Sequence, residues 1–269
     1  SLNYVGVKGG CVLFVADDPG PISSQTEQDT RRFASFAKVP VFDPADVEQG
    51  FAMMKAAFDL SERYSTPVIV RPTTRVCHSS TFLEVQNHTD ARPADGFVKD
   101  DSKWVIFPAR AYRGHLEIQE RLACIEEEFS GNSSSCSSEH EDLSLFNPAI
   151  ECGDAPRFGI VCGGVSTAYA LEALEFLSQR AALPSYRFMQ IGTPFPFPDK
   201  AASAFLEGLE RVIVFEELDH VIEDELVRLV GLHAMRGLSP TRVCGRRSGD
   251  ARAAGENSVE DIFERLERF

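Results

Sequence analysis

The chain has no long hydrophobic run, no excess of positive charge and no paired cysteines, and each absence removes a class of function. No apolar stretch approaches the roughly 20 residues that a membrane-spanning helix needs, and the first residues lack the basic start and apolar middle of a secretory leader. With 27 Lys and Arg against 41 Asp and Glu, the formal charge is -14. A nucleic-acid backbone as main partner would require a basic face, so that class is set aside. The seven cysteines, Cys11, Cys77, Cys124, Cys136, Cys152, Cys162 and Cys244, are odd in number and scattered, with none in a C-x-x-C pair. They frame no zinc, iron-sulfur or disulfide site. Cys11 and Cys162 lie in apolar runs, as small buried residues do in a reducing compartment, and a cytoplasmic location is expected. P-loop, G-x-S-x-G and H-E-x-x-H patterns are also missing, and the six histidines form no cluster, so no metal site is expected.

What is present is concentrated between Gly10 and Lys38. The run Cys11 to Ala16 suits a strand buried on both faces of a parallel sheet. Asp17-Asp18-Pro19-Gly20-Pro21 ends it, because proline donates nothing to a ladder and glycine invites a turn. Ser24 and Glu27 then have the S-x-x-E spacing of a capping box, which predicts a helix starting there. Strand end, polar loop and helix start converge where open parallel sheets bind ligands, beyond the carboxyl ends of the strands. Plain turn and cap chemistry accounts for the same residues. Asp17 and Asp18 could also hold a divalent cation, but no third oxygen ligand stands at a suitable spacing.

Composition is that of a soluble globular chain, 43% hydrophobic and 25% charged over 269 residues, enough for one large or two ordinary domains. Pro40 to Phe42 reads as a strand, Ala45 to Tyr64 as an amphipathic helix burying Phe51, Met54, Ala57, Phe58 and Leu60, and Thr66 to Pro72 as another strand. This β-α-β-α-β series predicts a parallel sheet with right-handed crossovers. Arg75 and His78 follow the last strand and could face the same crevice, although a solvated loop histidine is the simpler reading of His78. Residues 84–113 read as a crossing segment, Leu116 to Phe129 as a helix, and 130–142 as a mobile Ser-rich loop. A second α/β unit starts near Pro156: Arg157 to Cys162 a strand, Gly163-Gly164 a turn, and Val165 to Arg180 a helix burying Ala168, Leu171, Leu174 and Leu177. Strands at Tyr186 to Ile191, Arg211 to Phe215 and Thr241 to Cys244 alternate with helices at Asp199 to Leu209, Ile222 to Val230 and Ser258 to Phe269. Gly163-Gly164 could seat a phosphate on helix amides, but it lacks the G-x-G-x-x-G spacing and close strand-to-helix packing is the simpler reading. Glu216, Glu217, Asp219, Glu223, Asp224 and Glu225 read as a solvated acidic helix entry, or alternatively as a patch for a partner subunit.

Several long motifs carry more than periodicity does. VADDPGPISSQTEQDTR (15–31), TPVIVRPTTRVCHS (66–79), GFVKDDSKWVIFPARA (96–111), FGIVCGGVSTAYALEAL (158–174), IGTPFPFP (191–198) and VIVFEELDHVIEDEL (212–226) together resemble the large, alpha subunit of indolepyruvate ferredoxin oxidoreductase. That family consists of thiamine-diphosphate-dependent 2-oxoacid:ferredoxin oxidoreductases. The resemblance implies oxidative decarboxylation of an aryl pyruvate to an acyl-CoA, with electrons passed through 4Fe-4S clusters to ferredoxin. It further implies magnesium with the thiamine diphosphate, coenzyme A as acceptor, a smaller beta subunit and homodimer contacts. By the same resemblance residues 1–75 are the C-terminal part of a pyrimidine-type domain, 76–155 an inter-domain connection, and 156–269 a transketolase C-terminal-like domain that serves packing and assembly. Ser23, Ser24, Gln25, Glu27, Arg75 and His78 become candidates for the substrate pocket, while Asp17, Asp18 and Gln28 brace its loop.

The family's activating-glutamate motif, its diphosphate- and metal-binding domain and its cysteine-rich tail have no counterpart in this chain. A central segment of a larger catalyst is therefore expected, inactive alone and holding no cofactor tightly. Two alternatives remain open: a non-catalytic assembly module, and a nucleotide-type ligand binder at Gly163-Gly164.

Overall fold

A parallel three-stranded sheet and a mixed five-stranded sheet are joined through buried charge. The computed structural model describes residues 2–85, 96–131 and 141–269. The Ser-rich stretch 132–140 and residues 86–95 of the expected crossing segment lie outside the described residues.

The first unit opens with α1 (Leu2–Val5), β1 (Val12–Phe14), α2 (Thr30–Ala37), β2 (Val41–Phe42), α3 (Val47–Tyr64) and β3 (Val68–Val70). Its three strands are parallel in the order β1-β3-β2, as the alternating pattern predicts. Val68, Ile69 and Val70 are buried on both faces because β3 is central. The expected two-sided burial of the first strand is corrected: β1 is an edge, and its Leu13 and Phe14 are 40% and 59% exposed. The helix expected from Ser24 starts six residues later, at Thr30, where the Asp29 carboxylate accepts from the Arg31 amide. Ser24 is not a cap: its hydroxyl donates to the Thr26 carbonyl at 2.8 Å, and its amide, which Glu27 would have to reach, donates to Asp18 at 2.6 Å. The stripe of α3 is also rotated from the expected one. Met53, Ala56, Ala57 and Leu60 are buried, whereas Phe51 and Phe58 are about half exposed. Phe42, Phe129 and Phe146 pack edge to face in this core at 5.6 Å.

Next come α4 (Thr74–Cys77), α5 (Asp101–Trp104) and α6 (Pro108–Phe129), then a 3-10 turn (Leu143–Phe146) and β4 (Ala149–Cys152). Residues 76–155 contribute to both sheets: Ile125, Phe129, Leu143 and Phe146 join the core under β2 and β3, and β4 pairs antiparallel with the next sheet.

That sheet runs β4-β6-β5-β7-β8, with β5 (Phe158–Gly163), β6 (Tyr186–Ile191), β7 (Arg211–Phe215) and β8 (Arg242–Cys244) all parallel. Helices α7 (Ser166–Arg180), α8 (Asp199–Leu206), α9 (Val221–Met235) and α10 (Val259–Arg268) connect and cover it. Ala170, Ala173, Leu174 and Leu177 form the buried face of α7; Leu171, expected there, is exposed. Ser258 caps α10, accepting from the Asp261 amide at 3.2 Å. Among the described residues no helix is long and apolar enough to cross a membrane.

The units are stitched along β2. The Val41 amide donates to the Phe195 carbonyl at 2.7 Å and the Asp43 amide to the Gly192 carbonyl at 2.8 Å. Asn147 adds a second seam, accepting from the Gly192 and Thr193 amides at 3.0 and 3.1 Å.

Candidate functional site

At the carboxyl ends of β1 and β3 the chain leaves a cavity of about 400 Å³. Its depth comes from a loop, residues 19–28, thrown outward by Pro19, Gly20 and Pro21 and tied back by carboxylates. Asp18 is the main tie: the Ser23 and Ser24 amides donate to its Oδ2, each at 2.6 Å, and the Thr74 hydroxyl to its Oδ1. Burial pushes this carboxyl up, but those hydrogen bonds prevail and hold it at about 2. Asp17 is likewise saturated, accepting from the Thr30 amide at 2.9 Å, the Thr30 hydroxyl at 2.6 Å and Arg71 Nε at 2.6 Å. Every oxygen of the two aspartates already accepts a hydrogen bond, and among the described residues no group of three His, Cys, Asp or Glu is placed to hold a metal.

The lining contains Ser23, Ser24 and His78 from the expected pocket set, and Asp17, Asp18 and Gln28 from the expected bracing set. Gln28 is exposed, its side-chain amide reaching the Thr26 hydroxyl at 3.5 Å. The remaining three are placed elsewhere. Gln25 is exposed on the loop. Glu27 accepts from the Gly20 amide and from the Gly255 amide at 3.0 Å, and Arg75 forks onto Glu256 at 2.5 and 2.6 Å. Both thus clamp the loop and α4 to the segment before α10. Thr26, Thr30, Thr74 and Cys77 also line the cavity and were not singled out from the sequence. Their signal was position alone, since Thr74 and Cys77 flank Arg75 just beyond a strand end.

Beneath the cavity lies a buried ionic layer that sequence reading missed. Arg71 reaches Asp17 and, at 3.2 and 3.3 Å, both oxygens of Asp43. Arg31, 1% exposed, donates to Asp29 at 2.6 Å, to Glu216 at 2.8 Å and to the carbonyls of Glu217 and Asp219 at 2.6 and 2.9 Å. Burial opposes charge on the Asp29 carboxyl, but Arg31 and Arg71 outweigh it and hold it well below the usual range. For Asp43 burial wins, and its carboxyl is raised despite Arg71.

Two expectations are corrected by this layer. The acidic run after β7 is only half solvated: Asp219, Asp224 and Glu225 reach the surface, but Glu216, Glu217 and Glu223 are buried. Glu216 accepts from the Val221, Ile222 and Glu223 amides at 3.0 to 3.1 Å, so it caps α9 from outside the helix while neutralising Arg31. Glu223 accepts from the Arg246 and Arg247 amides, the nearer at 2.9 Å. The Gly163-Gly164 turn offers no phosphate seat, because Asp43 occupies the space. A Cβ on Gly164 would stand 2.9 Å from Asp43 Oδ1, and one on Gly163 would stand 2.4 Å from Ile222 Cδ1. Close packing, with a carboxylate against the turn, explains the pair.

No family model matches the chain. It is 36% identical over 231 residues to indolepyruvate oxidoreductase subunit IorA of Pyrococcus horikoshii, covering 84% of this chain and 33% of that protein. The same subunit of Thermococcus kodakarensis is 38% identical over 227 residues, covering 82% of this chain and 32% of its own length. That of Methanothermobacter thermautotrophicus is 34% identical over 232 residues, covering 86% and 35%. Among solved structures, 2-oxoglutarate:ferredoxin oxidoreductase from Magnetococcus marinus, with 2-oxoglutarate, coenzyme A and succinyl-CoA bound, has a TM-score of 0.57 at 15% identity. The match covers 96% of this chain and 48% of that one. A split-gene transketolase in an inactive β4 tetramer has a TM-score of 0.51 at 13% identity, covering 96% and 65%. The two structural likenesses establish the fold, and the sequence likeness agrees with the motifs. The chain is related to indolepyruvate oxidoreductase subunit IorA and spans about a third of that subunit's length.

Proposed function

We propose that this chain forms one wall of the substrate pocket in a 2-oxoacid:ferredoxin oxidoreductase that converts an aryl pyruvate, of the indolepyruvate class, to an acyl-CoA. The observation that carries this reading is the open cavity beside a loop whose carboxylates are all internally satisfied. Beside those tied carboxylates the lining offers the hydroxyls of Ser23, Ser24 and Thr26, the amide of Gln28 and the imidazole of His78. Such donors suit the keto and carboxylate oxygens of a 2-oxoacid. An ionised aspartate facing the same oxygens would repel them, so tying Asp17 and Asp18 into the frame is part of the recognition.

Thiamine diphosphate and magnesium do not fit the residues present. A diphosphate-bound metal needs several oxygen ligands, and Asp17 and Asp18 are committed to Thr30, Arg71, Ser23, Ser24 and Thr74, with no third acid placed beside them among the described residues. In this reading those groups, the 4Fe-4S clusters and the contact with ferredoxin belong to segments of the enzyme beyond the third that this chain matches, and to a smaller beta subunit. This chain contributes orientation and exclusion of solvent, and the second sheet supplies the rigid base through the Arg31 and Arg71 layer. Homodimer contacts are part of the same proposal.

The test is kinetic, on the chain assembled with those companion segments and the beta subunit. Ser24→Ala and His78→Ala should raise the KM for indolepyruvate, while the exposed Gln25→Ala should leave it unchanged. Equal, unaltered KM values for all three would place the substrate elsewhere.

A further inference from the structure

A second cavity, independent of the proposed function, opens at the amino ends of β7 and β8, away from the ionic layer. It measures about 140 Å³ and is lined by Arg211, Arg242, Arg265 and Arg268 with Cys244, Phe269 and one carboxylate, Asp250. Four arginines around so small a space stand out in a chain of charge -14.

The sheet itself forces two of them together. Arg211 and Arg242 are direct partners in the parallel register of β7 and β8, and like charges opposite one another are unfavourable. Among the described residues no carboxylate stands within ion-pair distance of either. Arg211 is also fixed: its guanidinium lies 4.6 Å from the ring centres of both Phe158 and Phe269. Its Nε is buried and has no hydrogen-bond partner. A pre-oriented donor left unmade in a buried position costs stability unless something accepts from it. Arg265 and Arg268, one turn apart on α10, close the other side. Their charge is partly met by Asp261 at 3.0 Å and by Glu264 at 3.4 Å, so they supply donors more than net charge. Asp250 is itself engaged by the Ser248 hydroxyl at 2.7 Å.

We infer that this cavity is a binding site for a small oxyanion of the phosphate class, seated between Arg211 and Arg242. Arginine forks match tetrahedral oxyanions bidentately, and two of them side by side replace a repulsion with a shared counter-charge. The volume accommodates the phosphate group alone. The ligand is either free phosphate or the phosphate end of a larger molecule whose body lies outside.

Calorimetric titration of the intact chain with inorganic phosphate, at ionic strength held constant with sodium chloride, tests this. Saturable binding is expected, weakened by at least about tenfold in Arg242→Gln, which sits on an exposed edge strand, and strengthened in Asp250→Asn. Glycerol 3-phosphate in the same titration separates the two sources. Tighter binding of the monoester marks a phosphate end group, equal or weaker binding marks the free ion, and both require Arg242. Absence of saturation, or binding that neither substitution alters, overturns the site.

Discussion

Replacing Arg31 by methionine tests the buried ionic layer most sharply, because its sequence neighbour provides the control. Arg31 and Arg32 are both paired with carboxylates of the second unit, yet Arg31 is buried and Arg32 has a side chain 43% exposed. Methionine fills much of the arginine stem but leaves Asp29 and Glu216 as buried charges, and orphans the Glu217 and Asp219 carbonyls. Breaking a buried pair by removing one partner costs about 3–5 kcal/mol. The lower end applies here, since Glu216 keeps three helix amides and Asp29 keeps the Asp219 amide at 2.9 Å. A loss of about 3 kcal/mol corresponds to a fall in Tm of roughly 6–12 °C for a chain of this size. Arg32→Gln, which breaks exposed pairs with Asp219 and Asp224, should cost less than about 1 kcal/mol. Urea titration followed by circular dichroism measures both. Adding Glu216→Gln to Arg31→Met should recover part of the loss, because it removes one of the stranded charges. A loss for Arg31→Met within about 0.5 kcal/mol of the Arg32 control would refute the layer as a source of stability.

Other consequences are open to simpler measurements. Gly164→Ala places a side chain at φ +52 against Asp43 and should destabilise the fold by about 1–3 kcal/mol in the same urea assay. Asp18→Ala removes the acceptor for the Ser23 and Ser24 amides, so limited proteolysis should cut within 19–28 many times faster without a comparable loss of global stability. The Asp18 carboxyl is depressed to about 2, so its contribution is complete above its ordinary value of 3.8 and is lost as pH falls toward 2. The protection of the Ser23 and Ser24 amides against hydrogen exchange, taken relative to the intrinsic rate at each pH, should therefore hold down to about pH 4 and fall below it. Thiamine diphosphate with magnesium, titrated into the isolated chain, should give no tight metal-dependent binding; a saturable, magnesium-requiring interaction would overturn the division of the site between segments.

How much of this was legible beforehand depended on whether a residue's role is set by its neighbours in sequence or by distant ones. Tyr186–Ile191 and Arg211–Phe215 have the bounds that their apolar runs predict, because central parallel strands are buried on both faces. The strand Ala149–Cys152 gave no such signal: it is an exposed antiparallel edge whose pairing comes from β6. Ser24 and Glu27 have a capping-box spacing, yet Asp18 and Gly255 compete for their groups, and a spacing rule cannot see either competitor. The α3 stripe was misplaced because Phe51 and Phe58 are large and apolar but face outward. Glu216 read as a surface acid since the residue that neutralises it is not near it in sequence. Its partner, Arg31, lies 185 residues away. The candidate pocket was located by the strand-loop-helix logic, and which of its residues turn inward was decided by contacts with the second unit.

Ferredoxin reduction driven by indolepyruvate and coenzyme A, measured with the companion segments and beta subunit in the presence and absence of this chain, bears most directly on the central claim. The account predicts no turnover from the chain alone or from the companions alone, and turnover when they are combined. Turnover by the companions without it, or none from the combination, would contradict the claim that this chain supplies a wall of the active site.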